Sequence, residues 1–323
     1  MAALFEHIYS NGALLIMWGA LLFHLLLPIP QAAHPAMLWR AFARILADKV
    51  NTPASYTQSL LSGTLAWLLM TIPALILFLA LKPLVWKSEL FELALLLLAI
   101  DWRNTEKFTA HFTRALSEED KHKARKLLQP VLNRQTETLS IVGLGKAGAE
   151  TIILGYGRNV VCVLFWYGLS GGTGALMYRL TQELARAWSP SRADFLPFGI
   201  PAVRLLAVLE YIPLRLFSLL LLAGKQAGKC STRMLAQSKS WPTPGPGWLL
   251  ATAAGKLDLS VGGPAIYPDK HHSSSQKSIR AKLGGRIVPS AFHLAQLQKL
   301  LVWRIFIWVS LQSLIMLLSY QGV

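Results

Sequence analysis

The longest charge-free apolar run constrains the fold of this chain more than any other feature. Residues 59–81 read SLLSGTLAWLLMTIPALILFLAL and contain no charged side chain over 23 positions. About 20 apolar residues are enough to cross the hydrocarbon core of a bilayer. The chain as a whole is 53% hydrophobic with only 15% charged residues, unlike an ordinary soluble domain. These features predict an integral membrane protein.

Five further segments are candidate spans, at residues 12–27, 89–100, 159–180, 200–223 and 300–318. The first is interpreted as a retained span and not a signal peptide, because Glu6 and His7 precede it where basic residues would be expected. Residues 89–100 are short and carry two acids, so they either complete a crossing or form a re-entrant hairpin. We expect an all-α integral membrane protein with five to six transmembrane helices.

Basic residues predict how these spans are oriented. With six spans, residues 31–58, 101–158 and 225–298 share one side, and the last segment carries ten Lys and Arg residues against two Asp residues. Positive residues mark the cytoplasmic side. We therefore predict a multi-pass membrane protein with both termini outside and the lipid bilayer as partner. The bases lie scattered among apolar spans instead of forming one stripe, so no nucleic-acid partner is expected.

Two polar segments complete the predicted organisation. Residues 105–139 have helical spacing and predict a cytoplasmic helical hairpin, whose second helix starts near Asp120 and is interrupted at Pro130. Residues 238–287 are rich in Gly, Pro, Ser and basic residues and read as loop. We expect one membrane domain over 1–323, with a soluble helical insertion at 101–150, a basic Gly/Pro-rich loop region at 225–298 and a C-terminal span at 299–320.

Short motifs add little chemistry. GLGKAG at 143–148 matches a nucleotide fingerprint literally, but no βαβ context surrounds it, so helix packing or a flexible approach to the membrane is the favoured interpretation. Cys162 and Cys230 are expected to stay reduced. His271 and His272 are adjacent in a basic loop and are interpreted as solvated, so no metal site is predicted. His24, inside the first span, is either functional or faces a neighbouring helix or the interface.

Charges interrupt the apolar sequence between residues 150 and 215. Ionisable residues are costly at bilayer depth and usually face a cavity or another helix. We predict that some of the arginines line one cytoplasm-facing cavity, partly neutralised by Glu150 or Glu210, which suits an anion such as phosphate. Separate snorkelling of each arginine is the alternative. The arginines concerned are Arg158, Arg179, Arg204 and Arg215.

Motifs along most of the chain carry a family resemblance. They are His34-Pro35, Arg134 with Thr136 and Leu139, Glu150, Leu164-Phe165-Trp166, Gly171-Gly172, Tyr178-Arg179, Ile212-Pro213 with Arg215, Gly247-Trp248 and Gly262-Gly263-Pro264. Together they resemble the CobD/CbiB family of late cobalamin biosynthesis, the adenosylcobinamide-phosphate synthases. The resemblance implies ATP-dependent amide formation between adenosylcobyric acid, a corrinoid, and aminopropanol or its phosphate, with ATP and Mg²⁺ as cofactors.

The resemblance also implies a location in the bacterial inner (plasma) membrane, and it implies site residues. Glu150 would serve as metal ligand or base together with His34. The substrate-binding residues would be Arg134, Arg158, Arg179, Arg204 and Arg215.

Several positions depart from the family pattern. Family acids are replaced by Leu154, Arg158, Ala185, Leu206 and Ala207. These departures and the C-terminal span resemble the AmpE membrane proteins, so a non-catalytic accessory or signalling protein is the alternative function. A transporter is a third possibility, based on Gly-interrupted spans that carry charges.

Overall fold

The computed structural model describes residues 11–26, 35–52, 55–267 and 276–319. The helices are α1 (Gly12–Leu26), α2 (Ala36–Val50), α3 (Tyr56–Leu81), α4 (Ser88–Ala99), α5 (Trp102–Ser117), α6 (Lys121–Leu128), α7 (Ile141–Tyr156), α8 (Val163–Ala187), α9 (Ile200–Leu222), α10 (Ala227–Gln237), α11 (Pro244–Lys256) and α12 (Ala291–Ser319). A π-helical stretch, Gly157–Cys162, joins α7 to α8. Strands β1 (Ser260–Tyr267) and β2 (Gln276–Gly284) form an antiparallel two-stranded sheet.

The all-α membrane class predicted from the sequence is confirmed. Within the described ranges, four helical stretches are long and apolar enough to cross a membrane: Tyr56–Leu84, Ile141–Ala187, Ile200–Leu222 and Ala291–Ser319. Two shorter apolar helices, α1 and α4, account for the other two predicted spans. From Leu65 to Leu81 the exposed side chains of α3 are apolar, as expected of a surface in contact with lipid.

The stretch Ile141–Ala187 is a helical hairpin and not one straight helix. The Arg179 Nη1 atom lies 2.7 Å from Asn159 Oδ1. Twenty residues of straight helix would hold those positions about 30 Å apart. The chain reverses at Ser170 and Gly171, where the backbone leaves helical geometry and Gly171 takes a φ of +66°. The predicted span at 159–180 therefore contains a turn at its centre, which its uninterrupted apolar pattern concealed.

The tip of this hairpin explains the paired glycines. Gly171 supplies the left-handed conformation that the reversal requires. A Cβ atom on Gly172 would lie 2.6 Å from the Glu92 carbonyl oxygen, so only glycine permits α4 to approach this closely. The Gly172 N–H donates to the Glu92 carboxylate, which also pairs with Lys82 at 2.8 Å. The GG element is therefore a structural requirement of the hairpin tip.

The segments predicted to share the cytoplasmic side lie together at one end of the molecule. The Gln135 N–H donates to the Ile266 carbonyl at 2.9 Å, which joins the soluble helical region to the sheet. The Trp39 indole of α2 donates to the Leu180 carbonyl at 3.1 Å. At the opposite end, Asn11 Nδ2 lies 3.0 Å from the Met316 carbonyl oxygen, so the two ends of the described chain meet there. The absolute orientation in the membrane stays a prediction.

Both polar segments contain regular secondary structure. The helical hairpin predicted at 105–139 is present as α5 and α6, and Asp120 caps α6 by accepting from the Lys123 N–H. The reading of 238–287 as loop was wrong, because it contains α11 and the two strands. Pro244 stands at the start of α11, where its missing N–H costs nothing. The apolar residues that follow Pro244 are buried, so α11 lies inside the protein.

The glycines of GLGKAG pack helices, as the sequence predicted. The motif lies inside α7. A Cβ on Gly145 would lie 2.0 Å from the Pro289 carbonyl oxygen, and one on Gly148 would lie 1.9 Å from the Phe112 ring. Both glycines therefore permit close contact with neighbouring segments.

Candidate functional site

Arginines from two elements converge on a buried carboxylate where α2 crosses the end of α8. Glu183 is 2% exposed, and each of its carboxylate oxygens forms an ion pair with one arginine. The Arg40 Nε atom of α2 lies 2.7 Å from Oε2, and the Arg179 Nη2 atom of α8 lies 3.0 Å from Oε1. Arg179 and Glu183 are one helical turn apart, so they lie on the same face of α8.

Further arginines surround this carboxylate. Arg186 lies close enough to Arg40, Arg179 and Arg192 to feel their charges. Its guanidinium donates to the Pro130 carbonyl oxygen. We call Arg40, Arg179, Arg186 and Arg192, gathered around Glu183, the arginine cluster.

The arginine cluster carries excess positive charge and opens toward the predicted cytoplasmic end. Burial and the neighbouring Arg44 guanidinium lower the pKa of Arg192, while Asp194 opposes them. The Arg40 side chain is 39% exposed, so the cluster reaches solvent on the α2 side. Its cations outnumber the acids that contact them, so a further anion would be stabilised here.

A polar layer lies beneath the arginine cluster. The Asp101 Oδ2 atom is 3.4 Å from Arg179 Nη2, and the Asp101 N–H donates to the Asn159 carbonyl at 3.1 Å. Gln182 Nε2 lies 3.0 Å from Asn159 Oδ1. This layer links the start of α5 to the two antiparallel helical segments of the Ile141–Ala187 hairpin. It thereby fixes the position of Arg179.

His24 belongs to the edge of the same layer. It is 3% exposed, and its Nε2 atom accepts the Arg103 backbone N–H at 3.1 Å. Of the two interpretations left open by the sequence, this contact supports a side chain that faces a neighbouring helix.

Glu150 occupies a different location, at the contact between α7 and the sheet. Arg280 binds both of its oxygens, at 2.8 and 3.1 Å, and the Gly262 N–H donates to Oε1 at 2.8 Å. Arg134 Nη2 lies 3.4 Å from Oε2. We call Glu150, Arg134, Arg280 and Gly262 the Glu150 clamp. The resemblance implied Glu150 as metal ligand or base and Arg134 as a substrate-binding residue, and the sequence treated Arg280 only as a loop base, since nothing in the spacing brings residue 280 to α7.

Arg158 also has a partner of its own. Its Nε lies 2.6 Å from Glu210 Oε1 and its Nη2 3.0 Å from Oε2. The Tyr178 hydroxyl lies 3.3 Å from the same carboxylate, which is 0% exposed. Charges at this depth are tolerated when paired in this way.

The remaining predicted site residues do not join these groups. Arg204 is exposed on the outer face of α9 and has no ion pair among the described residues. Arg215 lies between the rings of Tyr211 and Trp248. His34 lies outside the described residues, as do His271 and His272.

The predicted arginines therefore occupy separate places and do not line one common cavity. Arg179 lies in the arginine cluster, Arg158 with Glu210, and Arg134 in the Glu150 clamp. Arg204 is exposed on α9, whereas Arg215 packs against Tyr211 and Trp248, and their shared helical face stays a prediction.

The buried carboxylates do not fit a Mg²⁺–ATP site. Mg²⁺ requires free carboxylate oxygens. Both oxygens of Glu150 and of Glu210 accept hydrogen bonds from arginine, and both oxygens of Glu183 form ion pairs with arginine. Within the described ranges, no three His, Cys, Asp or Glu residues converge in a way that could hold a metal ion.

Comparisons with known proteins identify the family. The model of the CobD/CbiB protein family matches residues 17–294. Cobalamin biosynthesis protein CobD of Stutzerimonas stutzeri is 30% identical over 90% of this chain and 94% of its own length. The protein of the same name from Chromobacterium violaceum is 30% identical over 74% of this chain and 72% of its own length. No solved structure matches the chain. The chain belongs to the CobD/CbiB family.

Proposed function

We propose that this protein acts in cobalamin biosynthesis at the membrane, at the step that joins a corrinoid carboxylate to aminopropanol or its phosphate. Family membership and the names of the relatives from Stutzerimonas stutzeri and Chromobacterium violaceum support the pathway. The non-catalytic AmpE-like alternative has no comparable support.

The observation that carries the proposal is the arginine cluster. Both substrates of this step carry anionic groups, a carboxylate on one and a phosphate on the phosphorylated form of the other. Arginine binds either group through two parallel N–H donors, and such hydrogen bonds are about twice as strong as neutral ones. Arg40 is half exposed and Arg186 adjoins it, so these two are the residues assigned to bind an incoming anion.

The buried members of the site hold these donors in place. Arg179 is fixed by Glu183 and by the polar layer, so its charge sits at a defined position behind Arg40 and Arg186. Preorganised charge of this kind favours anion binding because little ordering remains to be done. ATP would supply the energy of amide formation, but the described carboxylates do not fit its metal ion, so no metal-binding step is assigned to them.

Complementation tests the proposal. The gene would be expressed in a strain that lacks its own synthase of this step, supplied with cobyric acid and aminopropanol, and cobalamin would be quantified. We expect the chain to restore cobalamin. Failure to restore it, with the protein present in the membrane, would overturn the proposed function.

Variants then test the site. Arg186→Gln removes one charge-assisted contact, worth about 1.5–3 kcal/mol, so we expect about 10- to 100-fold less product at limiting substrate. Arg186→Lys should recover part of the loss because it keeps the charge but not the planar donors. Arg114→Gln is the matched control, since Arg114 is exposed and, among the described residues, forms an ion pair only with Glu118. Equal activity of Arg186→Gln and the control would exclude the cluster while leaving the function standing.

A further inference from the structure

Arg215 lies in an aromatic sandwich at the junction of α9 and α11. Its guanidinium carbon is 3.8 Å from the centre of the Tyr211 ring and 4.6 Å from that of Trp248. Tyr211 precedes Arg215 by one turn of α9, and Trp248 comes from the first turn of α11. Stacking on two rings orients the guanidinium plane and stabilises its charge.

Arg215 lacks what the paired arginines of the membrane helices have. Arg158 and Arg179 are neutralised by carboxylates. Arg215 has no ion pair within the part of the chain that the structure describes, and its Nε atom is buried there without a hydrogen-bond partner. Cation–π contacts do not cancel a charge, so the sandwich still requires an anion at membrane depth.

The position of the sandwich indicates which anion is available. Tyr211 and Ile212 expose 42% and 55% of their surface on the outer face of α9, which is the face directed to lipid. Tyr and Trp are enriched at the level of lipid headgroups. The sheet and α10, which belong to the end predicted to be cytoplasmic, lie against α11. A phosphate at the headgroup level would therefore meet a preoriented arginine.

We propose that Arg215, Tyr211 and Trp248 form a binding site for a phosphate group, separate from the arginine cluster. An anionic phospholipid headgroup and a soluble phosphate share this chemistry. The guanidinium donates two parallel N–H bonds to phosphate oxygens while the rings hold its plane. The site predicts bound anionic lipid beside α9, and it does not depend on the proposed enzymatic step.

Native mass spectrometry of the full-length protein tests the site. The protein would be purified from mixed vesicles of phosphatidylcholine and phosphatidylglycerol, and retained lipid counted. We expect preferential retention of phosphatidylglycerol, and roughly tenfold weaker retention in Arg215→Gln, the loss of one charge-assisted contact. Arg204→Gln is the matched control, since Arg204 lies on the same helix, is exposed and has no aromatic sandwich. Equal retention in the wild type and both variants would exclude a phospholipid headgroup as the source of the phosphate.

Two further experiments test the site. Trp248→Phe keeps a ring and should retain lipid, whereas Trp248→Leu should lose it, which separates stacking from a general packing defect. Inorganic phosphate titrated onto delipidated protein distinguishes the sources. If inorganic phosphate raises the melting temperature of the wild type and not that of Arg215→Gln, and no lipid is preferentially retained, the site binds a soluble phosphate. Absence of both effects would refute any phosphate site at Arg215.

Discussion

Replacing Glu150 by glutamine should weaken the attachment of the two-stranded sheet to α7. Glu150 is 4% exposed and binds Arg280 with two hydrogen bonds, while the Gly262 amide and Arg134 complete the clamp. Glutamine keeps the shape and one acceptor oxygen, so the Gly262 contact can survive. The two arginines would lose their counter-ion in a buried setting.

The expected cost follows from this geometry. Breaking a buried pair by removing one partner costs about 3–5 kcal/mol. The Arg280 side chain is 16% exposed and can turn toward water, which favours the lower end, about 3 kcal/mol. A change of that size lowers the melting temperature of a domain by on the order of 6–12 °C. Replacing Arg280 by methionine as well should recover part of it, because one unpaired charge is removed.

Thermal unfolding in detergent and trypsin cleavage within β2 would measure the effect. Lys146→Gln is the matched control, because Lys146 is one turn from Glu150 and makes no ion pair with it among the described residues. We expect Glu150→Gln to melt earlier and to be cut faster, and the control to behave as wild type. An unchanged melting temperature combined with lost cobalamin production would refute the structural role and support Glu150 as a catalytic residue.

Three other predictions address packing, buried charge and topology. Gly148→Ala forces a methyl group into an aromatic ring and should cost about 1–3 kcal/mol without changing nucleotide binding, measured by thermal unfolding. Glu210→Gln removes the only carboxylate of its buried ion pair and should cost about 3–5 kcal/mol, measured in the same way. In a background free of native cysteines, an impermeant maleimide should label Ser88→Cys in intact cells but Ser240→Cys only after permeabilisation.

The controls follow from the same structure. Gly228→Ala should be neutral to packing, because nothing lies within 4 Å of the added atom. For topology, native Cys230 is a poor reporter: it is 3% exposed, and burial raises the pKa of its thiol, so little thiolate forms near neutral pH. Labelling of Ser240→Cys in intact cells would reverse the predicted orientation.

The apolar helices were predictable from the sequence, but their paths were not. A charge-free run of 23 residues has few alternatives to a membrane helix, and α3 occupies it. The run at 159–180 has the same appearance and yet turns back on itself. Its reversal depends on the φ of Gly171 and on the close approach of α4 at Gly172, which are contacts between distant segments. Apolar periodicity carries no information about them.

The ion pairs were the least predictable part. No local pattern in the sequence connects Glu150 to residue 280 or Arg40 to Glu183. Glu183 was missed because the predicted span ended at residue 180. The one available signal was its spacing of four from Arg179, a typical helical ion pair.

At two positions where the chain departs from the family pattern, a carboxylate is supplied from another position in the structure. Arg158 stands where the resemblance expects an acid, and Glu210 neutralises it from α9. Ala185 stands at another expected acid, while Glu183, two residues earlier, lies on the helix face directed at Arg40 and Arg179. In both places a carboxylate is present but is bound by arginine on both oxygens. In the arginine cluster this pairing holds Arg179 in a fixed position, which is what the proposed binding of an anionic substrate requires.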